Sequence, residues 1–158
     1  MACTQTMDSV TLQRFYPVAA DKLFEAWTNP KWLASWFGPS HMVVVEANLD
    51  LKLGGNYSIV LADNVGTKTN HFGQYIDINR PDSLIFTWVL ADQACGGSSG
   101  QHAQTLVTIT FKETKNEGTY GTLLILHHEK LPNQEAIEGH KFGWQASLDA
   151  LDNWINQG

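Results

Sequence analysis

Basic residues are scarce in this chain: ten Lys and Arg stand against sixteen Asp and Glu, a net charge of −6 over 158 residues. A general nucleic-acid binder needs Lys and Arg to replace phosphate counterions, so nucleic acid is excluded as a partner. Docking on anionic lipid needs the same surplus and is excluded with it. Long apolar runs are also missing, and none approaches the roughly 20 residues of a membrane span. The opening "MACTQTMDSV" has neither a basic nor an apolar leader segment, so no secretory signal is expected. Cysteine is limited to Cys3 and Cys95, which make no motif; two free thiols in a reducing cytoplasm are expected. No close-spaced Cys/His set suits a metal. No nucleophile elbow, phosphate loop or dinucleotide glycine motif appears, so no cofactor and no catalytic residue are assigned.

What the chain has is apolar and aromatic surface, 43% hydrophobic and 11% aromatic, enough for one domain spanning 1–158 with a loose N-terminus over residues 1–8. "VTLQRFY" (10–16) alternates as a strand and stops at Pro17. In "ADKLFEAW", Leu23, Phe24 and Trp27 fall at helical spacing, and Trp32, Leu33 and Trp36 repeat it. Between them Asn29-Pro30 reads as an N-cap followed by proline at the first helical position. Gly38-Pro39 should stop the second helix.

From Met42 the period becomes two. Val43, Val45, Ala47 and Leu49 share one predicted face, with Val44, Glu46 and Asp50 opposite. Tyr57, Ile59 and Leu61 share another. Phe72, Gln74, Ile76 and Ile78 are placed together, against Tyr75 and Asp77. Leu84, Phe86, Trp88 and Leu90 follow, then Val107, Ile109 and Phe111, then "TLLILHH", apolar on both faces. Short turns join these runs, as in an antiparallel sheet. Asp92–Gln101 reads as a surface loop, role unassigned. Near the C-terminus Ile137, Trp144, Leu148, Leu151 and Ile155 form one helical stripe. Pro132-Asn133 is its entry, and Gly139 and Gly143 point to a regular part starting nearer His140. One long amphipathic helix then covers the apolar face of a curved sheet.

The pieces "RFYPVAADKLFEAWTNPKWLASWFGP", "LDLKLGGNY", "FGQYIDINRPDSLIFTW", "VTITF" with "GTLLILHH", and "GHKFGWQASLDALDNW" together resemble the activator of heat-shock protein 90 ATPase homologue family, within the START-like (SRPBCC) superfamily. Lys52-Leu53 depart from the family's usual Arg-Pro before the glycine pair. The resemblance implies an α+β helix-grip fold, a curved antiparallel sheet wrapped around a long C-terminal helix in the order β-α-α-β(6)-α. It implies a cavity between sheet and helix for a small apolar or aromatic molecule, and a stress-related role. Two alternatives come with it: a polyketide cyclase- or hydrolase-like enzyme in the same cavity, and a co-chaperone-type interaction module. The absence of an announced nucleophile tips the reading away from an enzyme. Monomer and homodimer both remain open.

Ligand pockets are walled by aromatic and apolar groups with few polar ones. Candidates for the wall are Trp27, Trp36, Phe37, Tyr57, Phe72, Tyr75, Trp88, Trp144 and Leu148, with Trp36 and Phe37 foremost because they close the short second helix. Glu46 and His127 are the candidate polar groups, and an enzyme would need at least two convergent polar groups in the cavity, with Glu46, Tyr75 and His127 as candidates. His127 and His128 are adjacent and so should face opposite sides of a strand. Asp50 is read as structural, accepting backbone N–H groups at the glycine turn. Trp32 and Trp154 are the candidates for an exposed partner patch.

Overall fold

The computed structural model describes residues 8–38, 42–94 and 102–157. Strand β1 (Asp8–Tyr16) leads into helices α1 (Ala20–Thr28) and α2 (Pro30–Trp36). Six strands follow: β2 (Val43–Leu49), β3 (Asn56–Ala62), β4 (Lys68–Asn79), β5 (Ser83–Ala94), β6 (His102–Asn116) and β7 (Thr119–Leu131). Helix α3 (Gln134–Gln157) closes the chain. All seven strands form one antiparallel sheet in the order β1-β7-β6-β5-β4-β3-β2. This is the helix-grip fold.

Local chemistry sets the helix boundaries. Asn29 Oδ1 accepts from the Lys31 and Trp32 backbone N–H groups at 3.0 and 3.3 Å, and Pro30 fills the first helical position. Helix α1 has no side-chain cap of its own; Glu113 of β6 accepts from Ala20 N at 3.0 Å instead. Asn133 Oδ1 accepts from Ala136 N at 2.8 Å. That cap, with Ala136 buried, starts α3 at Gln134 rather than near His140, despite the two glycines.

Two β-bulges correct the predicted faces. Between Val44 and Glu46 the β2–β3 register shifts, so Val44, Ala47 and Leu49 are half-buried while Val43 and Val45 are exposed. Between Tyr75 and Asp77 the β4–β5 register shifts likewise. Tyr75 is buried and Ile76 exposed, and Ile78 returns to the inner side. An extra residue reverses parity, and an apolar residue at the bulge hides it from a hydrophobicity pattern. The loop expected from Asp92 begins later, since β5 runs to Ala94. The rest of it, with Cys95, Cys3 and the first seven residues, lies outside the described residues.

The turn before β3 is held by backbone, not by Asp50. Gly55 N donates to Lys52 O at 2.9 Å, Gly54 N to Tyr75 O at 2.8 Å, and Tyr75 N to Gly55 O at 2.9 Å. The Asp50 carboxylate is exposed and 3.6 Å from Lys52 Nζ. A side chain at Gly55 would collide with the Asp50 carbonyl oxygen, which accounts for glycine there.

The sheet is paired unevenly. Partners on β4 and β5 run only from Tyr75↔Phe86 to Asn79↔Ser83. Residues 68–74 of β4 are laddered with β3 alone. At the end of the shared ladder Gln74 N turns to a side chain, donating to Thr87 Oγ1 at 2.8 Å. Helix α3 lies against β1: Tyr16 donates its hydroxyl to Leu148 O at 2.9 Å, and Arg14 meets Asp149 at 2.6 Å.

Candidate functional site

Where β4 leaves β5, a cleft of about 840 Å³ opens between the sheet and α3. Consecutive residues of both strands line it, 68–72 of β4 and 88–90 of β5, so strand edges as well as faces form its wall. Phe37, Gly38 and Leu61 close one side. Helix α3 supplies the other with Ala136, Gly139, His140, Gly143, Trp144 and Ser147.

The α3 wall is low by composition. Gly139 and Gly143 are one turn apart on the cleft side, and a Cβ at either would meet nothing within 4 Å. Neither has a positive φ, so backbone conformation does not call for glycine. Mid-helix glycine costs roughly 1 kcal/mol relative to alanine. These two positions leave room at the expense of helix stability.

The floor is a closed network of indoles and imidazoles. Trp144 Nε1–H donates to His128 Nδ1 at 3.0 Å. Indole nitrogen is only a donor, so His128 carries its proton on Nε2. That N–H donates to Thr105 Oγ1 at 2.7 Å, and the Thr105 hydroxyl donates to Trp88 O at 2.6 Å. Trp88 Nε1–H donates to His140 Nε2 at 3.2 Å, so the His140 proton is on Nδ1, which donates to Ala136 O at 2.8 Å. The His128 and His140 rings meet edge-on at 4.9 Å. Across the unpaired stretch between β4 and β5, His71 stacks on Trp88 at 4.7 Å and 19°.

Burial sets the charge state of both histidines. His128 has no exposed surface, and burial, with His140 and His127 nearby, lowers its pKa to about 3. Burial lowers His140 as well, opposed in part by the Ala136 carbonyl. Both are neutral at pH 7, as their partners require. Every ring nitrogen of Trp88, Trp144, His128 and His140 is engaged; His128 lies beneath the surface, and Trp88, Trp144 and His140, which line the cleft, offer an occupant ring carbon rather than free nitrogens.

The sequence candidates divide into four groups. Phe37, Phe72, Trp88 and Trp144 border the cleft. Trp27, Tyr57 and Tyr75 surround a separate space of about 20 Å³, which Phe37 and Trp88 also touch. Burial raises both tyrosine pKa values, and Asp50 adds to the effect at Tyr75. The Tyr57 hydroxyl donates to Thr87 O. Trp36 and Leu148 are buried beyond the cleft lining. Trp36 Nε1 donates to Ala26 O at 3.0 Å and its ring meets Trp27 edge-on at 4.8 Å, tying α2 to α1. Leu148 is fully buried where Tyr16 meets α3.

Glu46 and His127 stand away from the cleft. Glu46 is exposed on β2, past the bulge, and accepts from Asn48 at 2.7 Å. His127 lies on the outer face, hydrogen-bonded to Thr11 Oγ1 at 2.8 Å and 4.0 Å from Glu129. The inner histidine is His128, which continues the buried series Leu124 and Leu126. That parity was legible in "LLILHH". Missed too were Gly139 and Gly143, whose spacing from Trp144 and His140 puts them on one helix side. Trp32 and Trp154 are half-buried and pack on each other at 5.5 Å. Among the described residues no group of three or more His, Cys, Asp or Glu could hold a metal ion, and no helix is long and apolar enough to cross a membrane.

The model of the family "Activator of Hsp90 ATPase homolog 1-like protein" matches residues 17–156. The chain belongs to this family. Its fold recurs in the crystal structure of the AHSA1 protein from Silicibacter pomeroyi, with 25% identity, 95% of this chain and 99% of that one covered, and a TM-score of 0.77. A protein from Nitrosomonas europaea superposes with a TM-score of 0.75 at 19% identity, covering 94% of each chain. A Staphylococcus aureus protein described as of unknown function does so with 0.76 at 18% identity, covering 98% of this chain and 96% of that one. Comparison with curated proteins gave no significant match. For this Activator of Hsp90 ATPase homolog 1-like chain the match spans α1 through nearly all of α3, including every residue that lines the cleft.

Proposed function

We propose that this protein binds a small, largely apolar or aromatic molecule in the cleft between sheet and α3, as a cytoplasmic binding protein, monomeric or dimeric, rather than an enzyme. The observation that carries the reading is the pair Gly139 and Gly143, which line the cleft from α3 and where an added Cβ would meet nothing within 4 Å. The cleft's size, about 840 Å³, falls within the roughly 300–1,000 Å³ of small-molecule sites. Its floor has already satisfied its own polar atoms, so an apolar occupant leaves no buried donor stranded there. The enzyme reading required at least two of Glu46, Tyr75 and His127 to converge in the cleft; none of them lines it, Tyr75 being buried elsewhere, Glu46 exposed on β2 and His127 on the outer side of β7.

The test is native mass spectrometry of the intact chain against a panel of small apolar molecules, repeated on Gly143→Leu. Stoichiometric binding that the variant loses supports the reading. Binding that the variant retains in full refers the ligand to another surface and refutes it.

A further inference from the structure

We infer that the occupant is a flat, ring-bearing molecule with one acidic group, its rings on the glycine side of α3 beside Trp88 and its acid at Lys68. This rests on the ligand-binding reading above and narrows it to a chemical class.

Shape comes from the walls. On α3 the open positions at Gly139 and Gly143 expose helix backbone as a shallow bed. The unladdered edges of β4 and β5 make a second wall, and Trp88, hydrogen-bonded to His140 of α3, joins the two. The buried imidazole and indole nitrogens are spent on one another, so Trp88, Trp144 and His140 present ring area rather than hydrogen-bonding groups. At the inner end Ser147, 4% exposed, lines the cleft, and its hydroxyl has no hydrogen bond among the described residues.

Charge comes from the rim. Lys68 is the cleft's lining cation among the described residues, in a chain of net charge −6. Arg14, Lys52 and Arg80 each face a carboxylate; Lys68, like Lys22, Lys31, Lys112, Lys115, Lys130 and Lys141, forms no ion pair among the described residues, and of these it is the one that lines the cleft. The cleft's carboxylate, Glu135, stands in the first turn of α3, where it complements the positive end of the helix dipole. Glu135 therefore has a role within the fold, and the Lys68 ammonium is left to a ligand.

A matched pair of probes separates ring recognition from charge recognition: anilinonaphthalene sulfonate, and phenylnaphthylamine, the same rings without the sulfonate. Fluorescence titrations on the intact chain are compared with Lys68→Gln, which alters an exposed side chain, and with Gly143→Leu, each checked for folding by circular dichroism. Both probes are expected to bind and both to be lost in Gly143→Leu. Lys68→Gln should weaken the sulfonate about fivefold, the scale of a partly exposed ion pair, and leave the neutral probe unchanged. If both probes bind and Gly143→Leu blocks them, but Lys68→Gln affects both equally or neither, the acidic group is wrong and the cleft reading stands. If neither probe binds, or Gly143→Leu blocks neither, both readings fall.

Discussion

Replacing Gly143 with alanine should make this protein more stable. The site is mid-helix with no positive φ, and an added Cβ has no neighbour within 4 Å, so nothing must move to admit it. What remains is the propensity gain, roughly 1 kcal/mol for Gly→Ala in a helix interior. For a chain of this size that raises the melting temperature by about 2–4 °C. Gly139→Ala should behave the same way, and the double variant should gain close to the sum. Gly143→Leu extends the argument, because leucine is also a good helix former and its side chain would enter the cleft. In a filled interior such an insertion costs about 1–3 kcal/mol of overpacking. Here it should fold at least as stably as the parent. Thermal and urea unfolding followed by circular dichroism decide the matter. A fall in stability for Gly143→Ala, or a loss of 1 kcal/mol or more for Gly143→Leu, would mean that the space beside α3 is occupied, and the reasoning about the cleft would fail.

Other consequences follow from the network and the caps. Nitrogen-15 NMR at pH 7 should find His128 protonated on Nε2 and His140 on Nδ1; the opposite tautomer at either site contradicts the donor assignment. Because burial holds the folded-state His128 pKa at about 3, below the unfolded value of 6.5, its contribution is complete above pH 6.5 and is lost as pH falls toward 3. From pH 6.5 to 5 that amounts to about 2 kcal/mol, with His140 adding in the same direction; a flat urea-unfolding profile over that window would contradict it. Thr105→Val strands the His128 N–H and should cost about 1–3 kcal/mol by urea titration, whereas a cost near zero would show the network to be dispensable. Asn29→Ala removes the acceptor for two backbone N–H groups of α2 and should cost about 1 kcal/mol, measured the same way.

Much of the fold was readable because its signals are local. Asn29-Pro30, the alternation of Leu84, Phe86, Trp88 and Leu90, and the stripe through Trp144, Leu148 and Leu151 each specify an element without reference to distant residues. The faces of β2 and β4 were misread because a bulge is settled by pairing with the neighbouring strand. Val45 and Ile76 are themselves apolar, so a hydrophobicity pattern does not mark them as exposed. Phe37, Phe72, Trp88 and Trp144 were recognisable as wall candidates from ring size alone, and the same criterion also selected Trp27, Trp36, Tyr57 and Tyr75, which are packed away from the main cleft. Ring size does not distinguish core from wall. The polar choice fell on His127, which lies on the outer face, while Leu124 and Leu126 already aligned His128 with the interior. Glycines are commonly read as helix breakers; here they are cleft positions inside a helix whose cap and buried face outweigh them.

The central claim is that the space between α3 and the unladdered stretch of β4 and β5 holds a ligand. A crystal structure of the intact chain with phenylnaphthylamine tests it most directly. The account predicts the probe's rings beside Gly139 and Gly143 and against Trp88, with both histidine–tryptophan hydrogen bonds intact. Side chains closing that space, or the probe seated elsewhere, would contradict it.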